Sequence, residues 1–260
     1  MNNKNNYHIV IIGAGNLAYH LAPALKNAGH TIIQVYSRTK ESAALLAKNT
    51  EATHTTDLKS IDKNADIYFF TLPDHALSVV VKESALKNKL LVTTSGSAST
   101  DVFKPFTSLY GVFYPLQTFS KDRPVNFTEV PVFIESANRK TETALFNLGM
   151  QISSKVTIIT TEQRSILHLA AVFAGNFSNH MYVIAGMILK ADNMSFDYLK
   201  PLISETASKI LQLAPEKAQT GPAKRKDTEI LKKHLKLLSG LPEFQKIYSF
   251  VSESIQKAVK

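Results

Sequence analysis

The chain contains no cysteine. This excludes disulfides, thiolate nucleophiles and zinc–thiolate sites, and no metal site is expected. No run of about 18 uncharged apolar residues occurs, so no membrane-spanning helix and no membrane partner are expected. The first six residues, Met1 to Asn6, are polar and lack the apolar core of a signal segment. A cytoplasmic protein is the simplest expectation. There is no internal repeat, no low-complexity linker and no interleaving of aromatic with basic residues. The formal net charge of +9 comes from scattered lysines rather than one basic stripe. It suits anionic small molecules, and nucleic acid is not expected as a partner.

What the chain does have is a distinctive beginning. Ile9, Val10, Ile11 and Ile12 run directly into Gly13-Ala14-Gly15-Asn16-Leu17-Ala18. An amphipathic stretch over 17–27 follows. A buried strand, a Gly-x-Gly-x-x-Ala turn and a helix in that order form the context a dinucleotide-binding fingerprint requires. Gly13 permits the sharp turn, Gly15 lets a diphosphate approach the backbone, and Ala18 lets the helix lie close to the strand. Asn16 and Leu17 open the helix, whose N–H groups and dipole attract phosphate.

A second strand is expected over 31–36. An NAD site places an Asp or Glu after this strand to hold the ribose 2′-hydroxyl. This chain has Ser37, Arg38 and Thr39 there instead. A guanidinium and two hydroxyls suit a 2′-phosphate, which a carboxylate would repel. The reading is therefore NADP(H) rather than NAD(H). The plain alternative is that Arg38 is a solvated residue at a strand end.

Strand-like and helix-like segments alternate onward. Strands are expected over 66–71, 90–94, 110–114, 130–134 and 155–160, with a short one near 52–55. Helices are expected over 40–49 and 75–87. This pattern predicts an α/β fold with a doubly wound, mostly parallel sheet of Rossmann type. From Thr161 the character changes. Residues 165–190 carry apolar side chains all round, which predicts one long, largely buried helix. Helices over 196–214, 228–238 and 242–260 follow. The expected domains are a nucleotide-binding domain over 1–160 and an all-helical domain for substrate and dimerisation over 161–260.

Ligands of open parallel sheets bind beyond the carboxyl ends of the strands. Three loops besides the glycine turn meet that condition: Leu72-Pro73-Asp74-His75, Thr94-Ser95-Gly96-Ser97 and Tyr114-Pro115-Leu116-Gln117-Thr118. Leu72, Pro73, Ser95, Gly96 and Gln117 are the expected cofactor contacts; ordinary turn chemistry accounts for them equally well. On the long helix His168 and Asn176 are eight apart and Asn179 three further, a spacing that predicts one shared face. His168 is the candidate proton donor, with a hydrogen-bonded core histidine as the alternative. Arg225, in a basic cluster after Gly221-Pro222, is the candidate contact for an anionic substrate. Its alternative is a solvated turn before a helix capped by Asp227.

Together these motifs resemble one family. They are Gly-Ala-Gly-Asn-Leu-Ala from residue 13, Leu-Pro-Asp from 72, Thr-Ser-Gly-Ser from 94 and Tyr-Pro-Leu-Gln-Thr-Phe from 114. Ala-Val-Phe-Ala-Gly-Asn-Phe from 171 and Thr-Gly-Pro-Ala-Lys-Arg-Lys-Asp from 220 complete the set. The family joins a Rossmann-like domain to a helical domain of unknown function 2520, and its members are described as NADP-dependent oxidoreductases. Its architecture is similar to pyrroline-5-carboxylate reductase and the 6-phosphogluconate dehydrogenase-like group. The resemblance implies NADP(H), a small-molecule substrate between the two domains, and a homodimer built by the C-terminal helices. The chain departs from the hydroxyacid dehydrogenases of the wider group, which carry Lys and, four residues on, Asn in the long helix. Here the residue four on from His168 is Val172. Reduction of a ketone needs a proton donor, and reduction of a protonated imine does not. The departure therefore points to an imine substrate or to His168 as the acid. It leaves open a protein that binds NADP(H) without turnover.

Overall fold

The computed structural model describes residues 6–258. Residues 1–5 of the polar leading segment, and 259 and 260 of the last expected helix, lie outside them. The described residues form two compact units, the first ending at Gly175 and the second beginning at Asn176.

The first unit is built on one sheet of eight strands. They are β1 (His8–Ile12), β2 (Thr31–Tyr36), β3 (Thr53–Thr55), β4 (Ile67–Phe70), β5 (Leu90–Thr93), β6 (Tyr110–Pro115), β7 (Val132–Ser136) and β8 (Val156–Ile158). Their spatial order is β3-β2-β1-β4-β5-β6-β7-β8. The first six follow the order of a dinucleotide-binding sheet, 3-2-1-4-5-6. All pair in parallel except β6 with β7. The helices are α1 (Asn16–Asn27), α2 (Lys40–Thr50), α3 (Asp74–Ser84), α4 (Arg139–Met150) and α5 (Thr161–Ala171).

The alternation of side chains along β1 explains why the strand reads as a continuous apolar run. Ile9 and Ile11 enter one core cluster, with Leu21, Leu25 and Phe69. Val10 and Ile12 enter another, with Tyr68, Phe70 and Phe103. A central parallel strand covered on both faces must be apolar at every position. α4 had no counterpart among the expected helices. Asn138 caps it by accepting the Thr141 N–H at 2.9 Å, and its Ala144, Leu145 and Leu148 are buried.

The domain boundary expected near 160 coincides with the start of α5, whereas the two compact units part at Gly175. A capping box starts α5: Thr160 accepts from the Gln163 N–H, and the Gln163 side chain accepts from the Thr160 N–H. The long helix expected over 165–190 is not continuous. A π turn over Val172–Phe177 separates α5 from α6 (Ser178–Ala191). Nor is it largely buried. Arg164 alone is buried in α5 and Ile184 alone in α6. Ile166, Leu169, Phe173 and Phe177 are 68%, 59%, 61% and 48% exposed. The apolar character is there, but these four side chains remain exposed.

The second unit continues through α6, α7 (Lys200–Gln212), the short α8 (Pro215–Ala218), α9 (Thr228–Leu237) and α10 (Pro242–Ala258). Asp227 caps α9, as expected, through the Ile230 N–H at 3.2 Å. His234 of α9 and the Tyr248 hydroxyl of α10 are 2.8 Å apart, and the Gln245 amide donates to the Leu235 carbonyl at 2.7 Å.

Candidate active site

The glycine turn sits at the carboxyl end of β1, where the order of strands reverses between β1 and β4. Gly13 has φ +116°. A Cβ there would stand 2.4 Å from the Thr71 carbonyl oxygen. The turn is held from both sides. The Gly13 N–H donates to the Tyr36 carbonyl at 2.8 Å. The Thr71 hydroxyl donates to the Gly13 carbonyl at 2.7 Å. Gly15, by contrast, has no heavy atom within 4 Å of the place a Cβ would take. It is the N-cap of α1 and provides no side-chain bond, and no acidic residue stands in the first turn. The open N–H groups of that turn, at Asn16, Leu17 and Ala18, form a receptor for an anion. Ala18 is fully buried, as close packing of helix on strand requires.

Leu72 lies against this turn, its Cδ2 3.0 Å from the would-be Gly13 Cβ, while Pro73 is exposed and caps α3. Arg38 and Thr39 are exposed after β2, and Ser37 is half-buried, its N–H donating to Thr55 at 3.3 Å. No described carboxylate pairs with Arg38. Ser37, Arg38 and Thr39 thus stand one strand away from the glycine turn.

The loop after β5 is more tightly specified than a free hydrogen-bonding loop. The Ser95 hydroxyl donates to Asp74 at 2.6 Å and accepts the N–H groups of Ser97 and Ala98 at 3.0 and 2.9 Å. The Ser97 hydroxyl donates to the second Asp74 oxygen. Ser95 therefore has no spare donor: it shapes the loop rather than offering its hydroxyl. Gln117 is exposed, and its carbonyl oxygen is taken up by Thr118 N–H at 2.8 Å, leaving its amide N–H.

Gly96 is the hinge between this loop and α5. A Cβ on it would lie 2.6 Å from His168 Nδ1 and 2.8 Å from Tyr114 Cζ. Only glycine lets the loop backbone meet the imidazole so closely. His168 Nδ1 and the Tyr114 hydroxyl are 3.1 Å apart. Tyr114, at the end of β6, is nearly buried, and that burial holds its phenol above the usual tyrosine range, with the Arg164 charge a smaller opposing influence.

One turn before His168, Arg164 is 1% exposed. Its Nε donates to Glu135 at 2.8 Å, and its two terminal nitrogens donate to the Ser95 and Ala98 carbonyls at 3.2 and 3.0 Å. Glu135 also accepts the Thr161 hydroxyl at 2.8 Å. Arg164 thereby binds α5, β7 and the Gly96 loop together.

The structure brings Ser95, Gly96 and His168 together and adds Tyr114, Asp74, Arg164 and Glu135, which the sequence reading did not assign. Arg164 stands among Thr161, Glu162, Gln163 and Ser165, a polar run that gives no sign in the sequence of a buried guanidinium. Asn176 falls inside the π turn and is exposed. A π turn takes up more residues than the α-helical 3.6, so the regular spacing that predicted one face for His168, Asn176 and Asn179 does not apply there. Asn179 lines an apolar groove of the second unit with Tyr182, Val183, Phe196 and Ile203. Arg225 is exposed on the turn before α9, while the neighbouring Lys224 donates to the Gln219 carbonyl at 2.7 Å. Among the described residues no group of His, Asp and Glu could hold a metal ion, and no helix is long and apolar enough to cross a membrane.

Comparison with known proteins identifies the class. Residues 8–96 match the family described as NADP oxidoreductase, coenzyme F420-dependent, and residues 130–255 match domain of unknown function 2520. No curated protein matches the chain. The structure is similar to a putative NADP oxidoreductase from Bacteroides fragilis, at 44% identity, TM-score 0.92, and 97% and 99% coverage of the two chains. The fold is also that of an imine reductase from Myxococcus stipitatus in complex with NADP+, at 18% identity, TM-score 0.62, and 97% and 92% coverage. A reductive aminase from Aspergillus terreus in complex with NADPH and ethyl levulinate shares it at 15% identity, TM-score 0.71, and 97% and 94% coverage. The chain belongs to the NADP oxidoreductase family that carries domain 2520, and NADP(H) is the cofactor of that family.

Proposed function

We propose that the protein transfers hydride between NADP(H) and a small, anionic imine or carbonyl compound. The observation that carries this reading is the open turn at Gly15, an unobstructed anion receptor at the head of α1 with the His168–Tyr114 pair on the same strand-end surface. The diphosphate would lie on the first-turn N–H groups of α1, with Ser37, Arg38 and Thr39 taking the 2′-phosphate. Leu72, Pro73, Gly96 and Gln117 would border the nicotinamide. In the reducing direction the hydride moves from nicotinamide C4 to the carbon of C=N or C=O. The electron pair of the double bond then passes to the heteroatom. His168 is the group of this unit suited to supply a hydrogen bond or proton there. Substrates that arrive as protonated imines need no such proton. Arg225 is proposed as a contact for the substrate's negative charge, and Asn176 as a further polar contact.

The exposed apolar stripe of α5 and the π turn supports a homodimer formed through the helices. Both the fingerprint and Arg38 are testable directly. Arg38→Ala should weaken NADPH by about 10- to 100-fold, the equivalent of one lost charge-assisted hydrogen bond, and leave NADH nearly unchanged. Equal losses for both nucleotides would contradict the placement of the 2′-phosphate. NADPH oxidation screened over imino and keto acids should show turnover that His168→Ala and Arg225→Ala each remove.

A further inference from the structure

The ring nitrogens of His168 stand in different surroundings. Nδ1 faces the Tyr114 hydroxyl at 3.1 Å and packs on the Gly96 backbone. Nε2 meets no hydrogen-bonding group among the described residues. The Tyr114 phenol, nearly buried, also has one described partner, the same Nδ1. Two arrangements fit that distance. If Nδ1 carried the hydrogen of the neutral ring, it would donate to the phenol oxygen and the buried O–H would have no acceptor. If the phenol donates, the buried O–H is satisfied and the hydrogen without a described partner sits on Nε2 of the half-buried ring; a buried donor left unsatisfied is the costlier outcome. Burial keeps the Tyr114 proton in place, which leaves the phenol a donor.

We infer that Tyr114 is a positioning residue that fixes the neutral His168 ring as the Nε2–H tautomer and so makes Nε2 a permanent hydrogen-bond donor. The protonated ring also carries a hydrogen on Nε2, so this nitrogen donates in both states. Resting on the hydride-transfer reading above, this inference narrows the substrate. The atom beside Nε2 must have a free lone pair. A neutral carbonyl oxygen or an unprotonated imine nitrogen fits, and a protonated iminium, which needs an acceptor, does not. Gly96 holds the imidazole edge in register, and Arg164 holds the loop on either side of it through the Ser95 and Ala98 carbonyls.

The experiment is nitrogen NMR of the full chain labelled in its histidine rings, with His168 assigned by its disappearance in His168→Gln. With the ring neutral, the expected spectrum shows hydrogen on Nε2 and an unprotonated, hydrogen-bonded Nδ1. Tyr114→Phe should move the Nδ1 resonance downfield, towards that of an unbonded ring nitrogen. Hydrogen on Nδ1 in the unaltered protein overturns the inference whatever the variant does. An unchanged Nδ1 resonance in a folded Tyr114→Phe protein also overturns it. An NADPH titration on the same samples separates the two ideas. NADPH binding with the wrong tautomer sinks this inference alone, while the right tautomer without NADPH binding sinks the hydride-transfer reading and the substrate assignment with it.

Discussion

Gly13 and Gly15 stand two residues apart and ask opposite things of a side chain. At Gly13 a methyl group would collide with Thr71 and the backbone would be held at φ +116°. Strain of that kind costs about 1–3 kcal/mol before the collision is counted. At Gly15 a methyl group would meet nothing within 4 Å, and φ is an ordinary −79°. Gly13→Ala should therefore lower the melting temperature by several degrees, about 4 °C or more for each kcal/mol in small domains and less in larger ones. Gly15→Val should leave the melting temperature where it is and abolish nucleotide binding by filling the diphosphate's place. Thermal unfolding and nucleotide titration on the two variants check this. Normal binding by Gly15→Val would refute the placement. Both glycines were legible in the sequence because the backbone chemistry of the turn demands them. Tyr114 was legible only as the end of a strand and the start of a loop, since its role depends on a partner 54 positions away.

Strands were the most readable elements. The runs at β1, β4 and β5 are almost wholly apolar because both sheet faces are covered, and their turn residues mark the ends. The direction of β7 was not readable, because a pattern of apolar residues is the same for parallel and antiparallel pairing. α4 went unassigned although Asn138 provides an ordinary cap. Apolar residues on all sides predict one long buried helix, and that pattern reveals neither the π turn over Val172–Phe177 nor the exposure of Ile166 and Leu169. The element that matters most for the site is α5. Arg164 is buried with Glu135, whose side chain is 11% exposed. Removing one member of such a pair leaves a buried charge, at a cost of about 3–5 kcal/mol. Arg164→Met should lose that much in chemical denaturation, and Glu135→Gln added to it should recover part. Full stability in Arg164→Met would show that the pair does not hold α5 to the sheet.

Two properties belong to the molecule as a whole. His30 is 3% exposed and accepts the Tyr7 N–H on Nδ1 at 3.2 Å. Burial holds it below the ordinary histidine value of 6.5. The unfolded chain therefore takes up a proton that the folded chain resists, so stability is full above about pH 6.5 and falls as the pH drops below it. Denaturation at pH 7.5 and 5.5 should show that loss, and His30→Gln should reduce it; a pH-independent wild type would contradict the assignment. The exposed stripe Ile166, Leu169, Phe173 and Phe177 predicts a particle of twice the 28.8 kDa chain in sedimentation. Leu169→Asp should shift it towards the single chain. The account as a whole depends on a nucleotide with a 2′-phosphate settling on the first turn of α1. The direct measurement is a fluorescence titration of the purified protein with NADPH and with NADH. Micromolar binding of NADPH, clearly tighter than that of NADH, is the expected result. Absence of binding by both nucleotides would contradict it.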